Sequence, residues 1–292
     1  MASIQGFLSR PRRIIPFMSK KIEYLKNGVP FNPKGVDFLE EDWDNLAILD
    51  ACRYDYFVDQ SFSCGNLESR ISKGASSAEF IRGNFSNKEL HDVVYVCANG
   101  HYGAMYEDIG AEVHEYIDVS TIRNGPDGIT TMPETVTQYA IEAAENYPNK
   151  RLIIHYLQPH QPYIGEFGQQ KFDTAGNLRD SMKNSDVSAE DVREAYRENL
   201  AIVLEDIEVL LQQLSGKTVV TSDHGEMLGE EVWGIPLFGH FAGLYREELI
   251  KVPWQIIEGD ERRKITSGEA SNMNNVDPDK LNERLKALGY KK

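Results

Sequence analysis

Cysteine, basic residues and long apolar runs are all scarce in this chain. Its 292 residues include three cysteines, Cys52, Cys64 and Cys97. An odd, sparse set with no CxxC spacing argues against a disulfide framework and makes a reducing compartment the simpler expectation. Lysine and arginine total 31 against 46 acidic residues, a net charge of −15 at pH 7. Phosphate backbones demand clustered positive charge, so this balance argues against a nucleic-acid binder. No stretch approaches the roughly 18 apolar residues of a spanning helix. The opening MASIQGFLSRPRRIIPF lacks the continuous apolar run of a secretory signal. The expectation is a cytoplasmic protein, or one held at the inner face of the membrane.

What is present is an ordinary globular composition, 41% hydrophobic, in a chain long enough for one large α/β domain or two small ones. Apolar runs alternate with helical periodicity, which predicts a mostly parallel central sheet with helices on both faces. Strands are predicted at 46–50, 93–98, 152–156, 218–221 and 254–257. Helices are predicted at 133–147, opened by Pro133, and from Ser188 to about Leu214, where Ser188 and Asp191 form a capping-box variant. A last helix is expected over 281–288, stopped by Gly289. Residues 165–187 and 258–276 are polar and read as surface excursions or lids.

Two strand ends carry chemistry. In VVTSDHGEMLGE, Asp223 and His224 follow an apolar run. Ligand sites of open α/β sheets lie past the carboxyl ends of strands. An oxygen and an imidazole nitrogen there suit a divalent metal, although Asp223 could instead cap a helix. NLAILDACRYD delivers Asp50 in the same way, or places it as a turn residue. Cys52 reads either as a thiol near this site or as a small buried residue.

These segments, in this order, resemble the alkaline phosphatase/sulfatase superfamily, in its sulfatase-like branch. The resemblance rests on LDACRYD (Asp50, Arg53, Asp55), on HYLQPHQPY (His155, His160, Tyr163), on SDHGE (Ser222 to Glu226) and on Gly239-His240. It continues through Leu244, Tyr245, Glu247, Val252 and Pro253 to the terminal ERLKALGY. It implies an alkaline phosphatase-like fold over residues 35–292, a catalytic domain preceded by a basic arm at 1–34. It implies one divalent metal held by Asp50, Asp223, His224 and a serine oxygen. The imidazole favours Mn²⁺ or Zn²⁺, with Mg²⁺ or Ca²⁺ as alternatives. The nucleophile would lie in KGASSAEFIRGNF, at Ser77 or at Ser76. Ser76 also forms a capping box with Glu79, from which Ser77 would point outward. His160, His240 and Arg53 are the implied substrate-binding residues. His160 and His240 could instead hold a second metal, and Arg53 could instead pair with Asp55.

The implied activity is hydrolysis or transfer of a phosphoric ester through a covalent serine intermediate. Sulfuric-ester hydrolysis is the alternative, weakened because the CxPSR motif that yields formylglycine is absent. A catalytically silent relative that binds a glycan, lipid head group or partner is a third reading. The substrate class is a small-molecule, lipid-linked or glycan ester, and the oligomeric state is undetermined. Within residues 1–26, Arg10, Arg12, Arg13, Lys20, Lys21 and Lys26 face only Glu23. This arm would lie on an anionic membrane as a peripheral contact, or pack its apolar residues on the main domain.

Overall fold

The run NLAILD forms a strand whose six residues are all buried, and the rest of the fold is laid out around it. The computed structural model of the chain describes residues 11–62, 64–172, 178, 182 and 186–270. In chain order the elements are α1 (Pro11–Asn27), β1 (Asn45–Asp50), α2 (Tyr54–Gln60), β2 (Asn66–Ile71), α3 (Ser77–Phe85), β3 (Glu89–Cys97), α4 (His101–Ile109) and β4 (Glu112–Asp118). They continue with α5 (Pro133–Asn146), β5 (Arg151–Pro159), α6 (Glu166–Lys171), α7 (Ala189–Gln213), β6 (Thr218–Ser222), β7 (Met227–Val232), β8 (Ile235–Gly239), α8 (Glu247–Ile250) and β9 (Lys251–Ile257).

Seven strands form one sheet in the order β2-β9-β6-β1-β5-β3-β4, and β7 and β8 form a separate hairpin. β1 lies parallel between β5 and β6, and β3 lies parallel between β5 and β4. β9 runs antiparallel to both β6 and β2. The sheet is therefore mostly parallel, as expected, with the predicted strand at 254–257 reversed.

Side chains of β1 alternate between two cores, as the two-residue period of a strand requires. Leu46 and Ile48 pack with Phe80, Phe85, Tyr102 and Trp254, whereas Ala47 and Leu49 pack with Val136, Ala140, Leu200 and Val203. Burying one such aliphatic side chain is worth about 1.5–3 kcal/mol. A one-residue slip would exchange the faces, so burial fixes the register and with it the position of Asp50. α7 starts at the predicted cap: Asp191 N donates to Ser188 Oγ at 3.1 Å and Ser188 N to Asp191 Oδ2 at 2.7 Å.

Residues 258–270 of the excursion after β9 form no lid over the carboxyl strand ends, and 271–276 lie outside the described residues. Thr266 N donates to Asn149 O, Gly268 N donates to His91 O, and the Arg262 guanidinium grips Asp42 and Asp44. Those partners precede β5, open β3 and precede β1, so residues 258–270 run across the opposite, amino end of the sheet. The expected helix at 281–288 lies outside the described residues, as does most of 173–185.

α1 lies against the β7–β8 side of the molecule. Ile15 is buried with Val232, Leu237 and Phe241. Gly243, at φ +76°, lets the helix approach: a Cβ there would lie 2.3 Å from Lys20 Cα. Among the described residues no helix is long and apolar enough to cross a membrane.

Candidate active site

Four neighbouring strands each deliver a polar side chain to the same end of the sheet. Asp50 closes β1, Asp223 and His224 follow β6, Asn99 follows β3, and His160 follows β5. One donor atom from each of Asp50, Asp223 and His224 lies within 4.8 Å of the others, and all three residues are buried. His224 Nε2 is 3.5 Å from Asp50 Oδ1 and 3.4 Å from Asp223 Oδ2.

The backbone aims these groups. Asp223 Oδ1 accepts from Ala51 N at 3.1 Å and from His224 N at 2.9 Å, leaving Oδ2 toward the cluster. Ala51 sits at φ +60°, an unfavourable left-handed conformation for a residue with a Cβ. It is held there because its N–H serves Asp223 and its carbonyl accepts from Tyr196 Oη at 2.7 Å. Gly225 is required next to His224, since a Cβ would lie 2.1 Å from Glu248 O. His224 Nδ1 lies 2.8 Å from Gly225 O, a contact that turns Nε2 into the cluster.

The electrostatics fit a cation. Burial alone would raise Asp223, yet the imidazoles of His224 and His155 hold it below the ordinary carboxylate range. Burial alone would lower His224, yet Asp223 and Asp50 raise it. Two desolvated carboxylates demand a compensating positive charge. Two oxygens and one imidazole nitrogen match the donors taken by divalent zinc or manganese.

Ser77 is the first residue of α3, and its side chain leaves the helix into the buried cluster. Its Oγ lies 3.2 Å from His224 Nε2 and accepts from Asn99 Nδ2 at 3.1 Å. The same Asn99 amide donates to Asp50 Oδ2 at 2.7 Å. The first amides of a helix have no intrahelical acceptor and favour an anion beside Ser77. Ser76 occupies the N-cap, but its Oγ makes no hydrogen bond to the described residues. The expected capping box is absent because Glu79 is engaged elsewhere. Its Oε2 accepts from Ala75 N at 2.9 Å, and its Oε1 from Tyr24 Oη at 2.7 Å and Tyr245 Oη at 3.3 Å.

His160 and His240 converge with Glu226, a residue to which sequence reading assigned no role. His240 Nδ1 is 3.4 Å from Glu226 Oε2, and the His240 ring centre is 4.6 Å from that of His224. The second group thus borders the first. Burial lowers His160, and it holds His101 near 3 and His155 near 4, so those rings are neutral around pH 7. His155 sits behind Asp223, with Nδ1 2.8 Å from Tyr95 Oη. The Arg53 guanidinium is taken up by Asp55, at 2.9 and 2.6 Å, and by Glu230. Cys52 is fully buried, and burial pushes its thiol well above the ordinary range, which removes it as a nucleophile.

No protein-family model matches the chain, and no curated protein matches it. Solved structures do. The integral membrane lipooligosaccharide phosphoethanolamine transferase A (EptA) of Neisseria meningitidis superposes with a TM-score of 0.55 at 14% identity. That match covers 88% of this chain, which spans 55% of the transferase. The zinc complex of the C-terminal periplasmic domain of EptC from Escherichia coli gives a TM-score of 0.50 at 12% identity, covering 80% of this chain and 77% of that one. A putative sulfatase from Bacteroides thetaiotaomicron matches at 0.43 and 12% identity, over 84% of this chain and 70% of that one. The expected cytoplasmic location is corrected by the EptC domain, which is periplasmic. Sparse cysteines report the lack of a disulfide framework, and a hydrophobic core of this size needs none in either compartment. The chain has the fold of the alkaline phosphatase/sulfatase superfamily.

Proposed function

We propose that the chain is a metal-dependent enzyme that hydrolyses or transfers a phosphoric ester through a covalent intermediate on Ser77. The observation that carries this reading is the placement of Ser77 Oγ, at a helix N-terminus and 3.2 Å from His224 Nε2, beside the Asp50–Asp223–His224 cluster. The phosphoethanolamine transfer ascribed to EptA is chemistry of this class.

A divalent ion held by Asp50, Asp223 and His224, with Zn²⁺ or Mn²⁺ preferred, would polarise a phosphoryl oxygen and lower the pKa of the Ser77 hydroxyl. Asn99 orients Ser77 by donating to Oγ, which leaves the serine proton free to point elsewhere. Ser77 Oγ, its proton released to solvent, forms a bond to phosphorus as the ester oxygen leaves. The α3 amides face the charge that gathers on the phosphoryl oxygens. His240 and His160 contact those oxygens, and His240, paired with Glu226, supplies the leaving group's proton. A water or an acceptor hydroxyl, giving its proton to the now neutral His240, then attacks phosphorus, and the Ser77 oxygen departs. Arg53, locked by Asp55 and Glu230, braces the loop after β1 instead of meeting substrate.

The direct test incubates the metal-loaded protein with aryl phosphate, phosphodiester and aryl sulfate substrates, followed by quenching and peptide mass spectrometry. A phosphoryl adduct on Ser77 is expected, with turnover of a phosphoric ester. Turnover of the sulfate alone, or phosphate turnover that persists in Ser77→Ala, would overturn the proposal.

A further inference from the structure

The outward face of α1 presents Met18, Ile22 and Leu25 at positions i, i+4 and i+7, which are 44%, 53% and 76% exposed. The helix does not need this stripe to stay on the protein. Ile15, Tyr24 and the Lys20 backbone make its inward contacts. The turn of the β7–β8 hairpin carries Trp233, also 76% exposed. Its neighbour Val232 packs in the same cluster as Ile15, so Trp233 and α1 share one side of the molecule.

Charge selects the occupant. α1 contains Arg12, Arg13, Lys20, Lys21 and Lys26 against Glu23, in a chain whose net charge is −15. Two copies of this face would bring like charges together. An anionic bilayer instead accepts apolar side chains and a tryptophan at the headgroup boundary and pairs the lysines with lipid phosphates. We propose that α1 and Trp233 form a docking surface for an anionic lipid bilayer. The strongly acidic remainder of the molecule is repelled by the same surface, which orients the protein with this side down. This assignment stands apart from the reaction at Ser77.

Flotation of the full chain with vesicles tests it. The vesicles are phosphatidylcholine alone, or phosphatidylcholine with about one third phosphatidylglycerol. Binding to the anionic vesicles only, reversed by high salt, is expected. Trp43 and Trp254 are both 2% exposed, so a blue shift of tryptophan emission on binding reports Trp233. Ile22→Ser with Leu25→Ser, and separately Lys20→Glu with Lys21→Glu and Lys26→Glu, should each weaken partitioning by about tenfold or more. Both variants should melt near the wild-type temperature, because the replaced side chains are exposed and give up only surface contacts, Lys20 over the Tyr24 ring and Lys26 beside Glu23. Equal binding to neutral vesicles, no binding, or full binding by the serine variant would overturn the proposal. Self-association without vesicle binding, lost on Leu25→Ser, would assign the face to a second copy and overturn it too.

Discussion

The side-chain amide of Asn99 lies 3.1 Å from Ser77 Oγ, and its second contact, at 2.7 Å, is Asp50. One uncharged residue thus links the start of α3 to the end of β1. Replacing it with alanine removes a donor to the nucleophile and one to a carboxylate, while the cluster keeps its three ligands. Asn99→Ala is expected to lower kcat about ten- to a hundredfold, with a smaller change in KM and unchanged metal content. Steady-state kinetics and metal analysis check this, and a loss confined to KM would contradict it.

The two serines should separate cleanly. Ser77→Ala should reduce kcat by roughly 10³-fold or more, as expected for removal of a nucleophile. Ser76→Ala should retain activity within a few-fold, because the Ser76 hydroxyl makes no hydrogen bond to the described residues. The reverse pattern would move the nucleophile to Ser76.

Metal removal should act on activity and stability together. Dialysis against a chelator should abolish turnover, and Zn²⁺ or Mn²⁺ should restore it. The melting temperature should fall, because Asp50 and Asp223 are completely buried and lose their compensating charge. Asp223→Asn should reduce bound metal to background. His240→Ala should keep the tight ion but raise KM, and loss of that ion in His240→Ala would reassign the residue to the metal.

A pH-dependent stability term lies far from the site. Burial, with Glu134 and Glu205 nearby, pushes the Asp206 carboxyl up from 3.8 to about 6. The folded state then holds this proton more tightly than the unfolded state. Stability therefore declines as pH rises from about 4 to about 6, and the penalty is full above that window. Asp206 is only partly buried, and solvent screens the effect, so about 1 kcal/mol is expected rather than the full shift. Asp206→Asn should be more stable than wild type by that amount at pH 7.5 and indistinguishable at pH 4. Urea midpoints at the two pH values decide it.

The strands that carry Asp50, Asp223 and His224 were legible because a parallel strand buried on both faces leaves an unbroken apolar run before its functional end. The stripe and cap of α7 were legible for the same local reason. β2 and β4 lie at the sheet edges, where charged residues such as Glu68, Arg70, Glu112 and Glu115 replace that run. Glu226 closes the SDHGE segment, but nothing local gave it a role: it becomes a site residue when the β7–β8 hairpin returns His240 beside it. Asn99 carries no charge to mark it. Ser76 and Glu79 have the right spacing for a cap, but a tyrosine 55 residues before Glu79 claims the carboxylate instead.

That tyrosine gives the amino-terminal helix a second significance. Glu79 holds the backbone just ahead of the two serines with one oxygen and receives Tyr24 on the other. Proteolytic removal of α1 would take Tyr24 from this buried acid and leave Tyr245 alone on that oxygen, two residues from Ser77. The amino-terminal helix is therefore part of the wall that carries Ser77, and its loss would loosen that wall even toward a freely dissolved substrate.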